Sequence, residues 1–381
     1  MRYPIFKMFP YIALLCLLIG FHVTACAAEQ SEQTAASQDF KITTVVRNLD
    51  HPWSVAFLPG GDFLITERTG KLLLFQNDGL THVIKGLPDI SAFNQGGLLD
   101  VIADPDFKKN RTIYFSFAAE GPGGYGTEVA RAVLDGYSLK NVQIIFKAKP
   151  KTPTGRHFGS RLLIAPDKTL LVTLGDRGDM RQAQNTSNHL GSIIRINLDG
   201  SIPHDNPYVS LKGYQPELYT YGNRNVQGIV LHPETGKIWF HEHGPKGGDE
   251  LNILKSGANY GWPAVTYGVD YSGAIISRKT EAPGMEQPVV YWVPSIAPSG
   301  MTIYDGNAFP EWKGNIFIGA LVQRHLRRIV LQGERVISQE VLLSDLEERI
   351  RDVRTGPDGY LYLLTDSGNG RLLRLEPLSS P

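Results

Sequence analysis

A histidine stands among glycines and arginines in Thr154-Gly155-Arg156-His157-Phe158-Gly159-Ser160-Arg161. An imidazole there can work as a base near neutral pH, although a loop histidine is as readily just exposed. Gly175-Asp176-Arg177-Gly178-Asp179 follows, ending the strand predicted to pair with the one after His157. The return of that hairpin can set Asp176 beside His157 as the carboxylate that orients its ring; a plain β-turn acid is the simpler account. In Tyr221-Gly222-Asn223-Arg224-Asn225-Val226-Gln227-Gly228, Arg224 and Asn225 precede an apolar strand. They either cap the core or offer donors to an anionic oxygen. Asn94-Gln95-Gly96-Gly97 reads equally well as a turn with an amide cap.

Arg349 and Arg351 alternate on one strand face in Glu348-Arg349-Ile350-Arg351-Asp352-Val353. Side by side they repel unless an anion lies between them, so they suit a polycarboxylate ligand. Ion pairs with Glu347, Glu348 or Asp352 would explain them as well. The stretch Glu242-His243-Gly244-Pro245-Lys246-Gly247-Gly248-Asp249-Glu250 is too rich in glycine and proline for a regular element. Its free carbonyls and flanking acids suit a hard cation such as calcium, or simply a solvated turn. No Walker loop, strand-linked G-x-G-x-x-G, His/Cys metal spacing or G-x-S-x-G elbow is present. Nicotinamide, ATP and serine-hydrolase chemistries therefore lack their usual parts.

These clusters lie between six copies of one phrase: an apolar strand, a Pro or Asp/Gly turn, and a second apolar strand. The phrase runs through Val55–Thr66, Val101–Phe115, Leu162–Thr173, Ile229–Phe240, Met301–Ile318 and Val353–Leu363. A third strand opening on glycine or charge follows most copies, as in Gly70–Phe75, Gly191–Ile196 and Gly370–Leu375. Strand-rich units at this period read as propeller blades, none able to bury its faces alone. The expectation is an all-β, six-bladed β-propeller of four-stranded antiparallel blades over residues 39–381. The strand Phe40–Val46 is expected to join the last blade and close the ring.

The 381 residues are 42% hydrophobic and 20% charged, and 38 basic residues balance 38 acidic ones. Such a balance gives no electrostatic argument for nucleic acid. Arg2 and Lys7 precede the apolar run Tyr11–Gly20, which reads as an export signal over residues 1–27. Ala25-Cys26-Ala27 fits a cleavage site, whereas Val23-Thr24-Ala25-Cys26 resembles a lipobox that would lipidate Cys26. The lipobox is slightly favoured, since neither cysteine otherwise has a role. Residues 28–38 read as a flexible tether.

Taken together, Gln95–Leu99, Gly155–Gly159, Gly175-Asp176, Arg224–Gly228, Glu242–Pro245, Asp249–Asn252, Asn259–Pro263 and Arg349–Val353 resemble the aldose sugar dehydrogenases. These are quinoprotein relatives of soluble glucose dehydrogenase, in the glucose/sorbosone dehydrogenase family, that use pyrroloquinoline quinone (PQQ). The resemblance runs from about Leu49 to Leu375 and implies the same six-bladed fold. It implies that His157 takes the proton from the sugar's anomeric hydroxyl as hydride passes to the quinone, with Asp176 orienting it. Gln95, Arg224 and Asn225 would contact the quinone, Arg224 stabilising charge on its carbonyl oxygen, and Arg349 and Arg351 would take up its carboxylates. The carbonyls of Gly244 and Pro245 would bind the calcium that also ligates the cofactor. Glu250 and the carbonyl of Tyr260 resemble a second, structural calcium site, and Glu242 drops out of the set. Where the glucose dehydrogenases place a lysine toward the cofactor, Ala320–Arg324 offers Val322, with Arg324 as a substitute. Val293 stands in place of a tryptophan over the substrate, implying a more open mouth.

The sequence therefore points to an exported, periplasmic enzyme that oxidises the C1 hydroxyl of aldoses to lactones and passes electrons to an unidentified acceptor. It would touch a membrane only through a lipid anchor at Cys26 and act as a monomer or homodimer. A calcium-dependent propeller lactone hydrolase and a non-catalytic sugar- or protein-binding propeller are the alternatives.

Overall fold

Residues 1, 32–34 and 40–378 are described by the structure, a computed structural model. The signal, the lipobox at Cys26 and most of the tether lie outside them. Among the described residues the strands form six sheets, each with four antiparallel strands, and helix is confined to a few single turns. The innermost strands are Pro52–Phe57, Leu98–Ala103, Leu162–Ile164, Val226–Leu231, Pro298–Ile303 and Ile350–Thr355, opening blades one to six in chain order. Each packs against the next, and the sixth returns to the first, so the sheets form a closed ring. No helix among the described residues is long and apolar enough to cross a membrane.

The second strand of a blade is sandwiched on both faces, so it reads as an uninterrupted apolar run rather than an alternating one. Thr169–Thr173, Ile316–Ala320 and Leu361–Thr365 are buried at every residue. Six apolar clusters fill the six gaps between neighbouring blades. Between blades five and six, for example, Trp312 stacks on Phe309 with centroids 4.0 Å apart, beside Tyr304, Phe317 and Phe40. Fully burying one such side chain stabilises by roughly 1.5–3 kcal/mol.

Phe40–Leu49 pairs antiparallel with Gly370–Pro377, from Phe40 opposite Pro377 to Leu49 opposite Gly370, completing blade six as expected. Within the segment read as a tether, Glu32–Thr34 adds a short parallel strand to the outer edge of blade five.

What positions the site is irregularity at one end of the inner strands. Five of the six carry a register shift there, between Pro52 and Ser54, Leu98 and Val101, Val226 and Gly228, Pro298 and Met301, and Ile350 and Asp352. A bulge twists its strand and re-aims the side chain beside it. Blade three instead has a short inner strand, preceded by left-handed backbone at His157, Gly159 and Ser160.

Candidate active site

The irregular ends surround a cavity of about 390 Å³ to which all six blades contribute, among them Trp53, Gln95, Phe158, Asn225, Val322 and Arg351. Beneath it lies a buried charge network. Arg161 pairs with Asp100 at 3.4 Å and Asp352 at 3.0 Å, while Arg354 reaches the same two acids at 3.1 and 3.0 Å. Two guanidiniums against two carboxylates leave no net charge, and the Val55 and Leu162 amides donate to Oδ2 of Asp352 and of Asp100. Arg161 also stacks on Trp53, its Cζ 4.0 Å from the ring centroid.

His157 and Asp176 meet at 2.6 Å, Nδ1 to Oδ1. The hairpin return brings them together because Gly175 has no side chain: a Cβ there would lie 2.2 Å from the His157 carbonyl oxygen. The other oxygen of Asp176 accepts from Trp262 Nε1 at 2.9 Å, and Gly178 N donates to Oδ1 at 2.7 Å. Burial pushes the His157 pKa down, with the Asp176 hydrogen bond opposing it. For Asp176 burial works upward, but the hydrogen bond and charge of His157 outweigh it and hold the carboxyl low. An ionised carboxylate only accepts, so the shared proton sits on Nδ1 and the Nε2 lone pair is free.

Gln95 and Asn225 face the same cavity and buttress the histidine loop. Gln95 Oε1 accepts from His157 N at 2.8 Å, and Asn225 Oδ1 accepts from Gly159 N at 3.1 Å. Arg224 Nη1 donates to the carbonyls of Gly244 at 2.8 Å and His243 at 3.3 Å. Glu242 Oε2 accepts from the Arg224 amide and Oε1 from Asn223 Nδ2 at 2.8 Å, which fixes the turn that presents Arg224 and Asn225.

Arg349 and Arg351 both reach Oδ2 of Asp366, at 3.1 and 2.7 Å. The anion between the two arginines is therefore Asp366, not Glu347, Glu348 or Asp352. Burial alone would raise Asp366, but the charges of Arg351 and Arg349 bring its pKa to about 2. Arg68 also lines the cavity, so three guanidiniums stand against one carboxylate. That surplus fits a ligand with several carboxylates. Val322 lines the cavity and is 61% exposed, whereas Arg324 is exposed with Nη1 directed to the Glu347 carbonyl at 3.4 Å. Val293 is 60% exposed and sits against Gly247.

The glycine-proline loop hangs from Asp249, which accepts from Gly244 N, Ser295 Oγ, Ile296 N and Ala297 N at 2.7–3.0 Å. An ion on the Gly244 carbonyl would share that oxygen with Arg224, an arrangement that calls for an anionic ligand alongside. Glu250, Tyr260 and Glu242, which faces Glu250 across adjacent strands, line an ion-sized cavity of about 10 Å³ that Gly244 and Arg224 also border. Burial, then the charge of Glu242, raises Glu250 to about 8, and burial raises Glu242 to about 7. Two buried like charges in direct cross-strand register fit an oxygen-ligated cation between them. Among the described residues no three His, Cys, Asp or Glu side chains gather as a metal cluster, so backbone carbonyls must complete either set.

Asp366, Arg68, Trp262 and the floor network did not emerge as site residues from the sequence. A signal existed for the first: Glu67, Glu242 and Asp366 each stand at or just beyond the end of a blade's second strand, as Asp176 nearly does.

The chain is similar to several known proteins over most of its length. The sequence model of the family described as Glucose / Sorbosone dehydrogenase matches residues 49–374. Aldose sugar dehydrogenase YliI of Escherichia coli is 42% identical over 350 residues, covering 90% of this chain and 94% of the relative. The structure of soluble aldose sugar dehydrogenase from Escherichia coli in its apo-form superposes with a TM-score of 0.87 at 41% identity, over 89% of this chain and 99% of that one. The PQQ-bound form of aldose sugar dehydrogenase from Streptomyces coelicolor gives 0.72 at 27% identity, over 90% and 99%. With a ring of six blades, a matching model over nearly the whole ring and relatives this similar, the chain belongs to the glucose/sorbosone dehydrogenase family.

Proposed function

We propose that the protein is an exported quinoprotein that oxidises the C1 hydroxyl of aldose sugars to lactones, using PQQ and calcium. The observation that supports it most is the His157–Asp176 pair, with a free Nε2, beside a cavity carrying three arginines against one acid. In the reaction Nε2 takes the proton of the C1 hydroxyl, the C1–H bond breaks with its electron pair, and C1=O forms. Asp176 holds the ring in the required tautomer and stabilises its cationic form. When bound, the quinone supplies the hydride acceptor and calcium a Lewis acid beside it. With the quinone bound, Arg224 would stabilise charge on its oxygen, Gln95 and Asn225 would hold its polar edge, and Arg349 and Arg351 with Arg68 would bind its carboxylates. Gly244 and Pro245 would hold the calcium next to the cofactor, and Glu250, Tyr260 and the facing Glu242 the second ion. Val293, in place of a bulky aromatic, leaves room for aldoses of differing size. Electrons pass on to an external acceptor, and the leader places the reaction outside the cytoplasm, with Cys26 as its lipid anchor.

The test is reconstitution. The purified protein is loaded with calcium and PQQ, and reduction of an artificial dye is followed with glucose and other aldoses. Dye bleaching that needs both additions is expected. No bleaching, with no spectral sign of bound quinone, overturns the proposal. Lactone hydrolysis with calcium alone would instead favour a hydrolase, which has no use for the arginine cluster.

A further inference from the structure

Arg177 follows Asp176 directly and is buried, with a left-handed backbone at φ 57°. Buried guanidiniums ordinarily pair with carboxylates. This one instead spends its donors on backbone oxygens: Nη1 donates to the Arg156 carbonyl and Nη2 to the Thr154 carbonyl, while Nε has no partner. Its Cζ lies 3.5 Å from the centroid of the Phe158 ring. Burial lowers its pKa to about 9, with the neighbouring charge of Asp176 opposing. The edge of the Phe158 ring is also tightly packed, since a Cβ on Gly96 would fall 2.8 Å from its Cζ, and the ring walls the cavity.

The grip falls on residues 154, 156 and 158, on both sides of His157. That segment carries left-handed backbone at His157, at φ 55°, and at Ser160, at φ 86°. Left-handed backbone at a residue other than glycine is strained and persists only where its surroundings over-determine it. A planar guanidinium serves the two carbonyls through separate, fixed nitrogens while its face lies on the ring, a geometry that a single ammonium nitrogen does not reproduce.

We infer that Arg177 is a positioning residue: it clamps the loop on both sides of His157 and so sets the imidazole ring against Asp176. The inference rests on His157 acting as the base, as proposed above. Its test uses Arg177→Ala and Arg177→Lys in the full chain. In enzyme loaded with PQQ and calcium, kcat should fall roughly 10- to 100-fold, as small misplacements of a reacting group do, while the aldose KM stays within about threefold. Millimolar guanidinium should restore part of the Arg177→Ala rate and none of the His157→Ala rate. A second arm needs no cofactor. The Nδ1 proton of His157 in its 2.6 Å bond should give a downfield NMR resonance, absent in His157→Ala. Loss of that resonance in both Arg177 variants supports the clamp. Its retention, or a wild-type kcat in either variant, overturns it. Should Arg177→Ala not fold, Arg177→Lys, which keeps the charge, decides alone. Should the wild-type reduce no dye, the dehydrogenase reading falls and the NMR arm still decides the role of Arg177.

Discussion

Gly175 passes beneath His157 so closely that a Cβ on it would lie 2.2 Å from the histidine's carbonyl oxygen and 2.9 Å from Asn225 Oδ1. His157, Asp176 and the Asn225 amide are therefore assembled around a missing side chain. Gly175→Ala should push the His157 loop away from Asp176 and cost roughly 1–3 kcal/mol of stability, as overpacking does. Melting temperature and dye-reduction rate should fall together; a variant matching the wild-type in both would show that the close approach is unimportant.

His157→Ala should retain PQQ, read by its absorbance, and lose about 10²- to 10⁴-fold in kcat, the range that a positioned proton acceptor supplies. An unchanged rate would remove His157 from the mechanism.

The pH dependence follows from the same pair. Burial lowers the His157 pKa below its ordinary 6.5, so the neutral, proton-accepting ring persists to lower pH. The acid limb of kcat/KM should accordingly lie below pH 6.5. Asp176→Asn removes a group that raises this pKa and also releases the tautomer, so the limb should not move up while kcat falls steeply.

Arg349→Ala and Arg351→Ala each remove a charged donor from the trio that faces the cavity. A charge-assisted hydrogen bond contributes about 1.5–3 kcal/mol, so PQQ should bind roughly 10- to 100-fold more weakly in each. Equilibrium titration of the calcium-loaded protein measures this, and unchanged affinity would place the quinone elsewhere.

Glu242 and Glu250 make the stability of the calcium-free protein depend on pH. Their folded pKa values, about 7 and 8, lie above the ordinary 4.5, so the folded state binds more protons than the unfolded one between those limits. Stability should therefore decline as pH rises from about 4.5 to 8. Added calcium should raise the melting temperature more at pH 8 than at pH 5. Glu250→Gln should flatten both effects, and equal calcium stabilisation at the two pH values would count against an ion at this pair.

The blades were legible because each second strand is buried on both faces and must be written as an unbroken apolar run. The link between His157 and Asp176 was legible for a similar reason, since one hairpin carries both. The paired arginines were visible, but not what lies between them: Asp366 is set by the register of Ile350 opposite Thr365. Trp262 reaches Asp176 from a loop of the next blade, 86 residues away in sequence, and no periodicity announces such a contact. Glu242 falls outside the ligand set that the resemblance implies, whereas its strand register turns it inward against Glu250.

Blade six is made from both ends of the chain, with Phe40–Leu49 laid beside Gly370–Pro377. During synthesis the first strand of the domain must wait, unpaired, for the last one to emerge. Until then the ring is an open arc whose two terminal blades each lack a neighbour, and such long-range pairing is slow to form. A chain of this design stays threadable until its final residues arrive. Loss of either strand would remove the antiparallel pairing that ties the two ends of the propeller together.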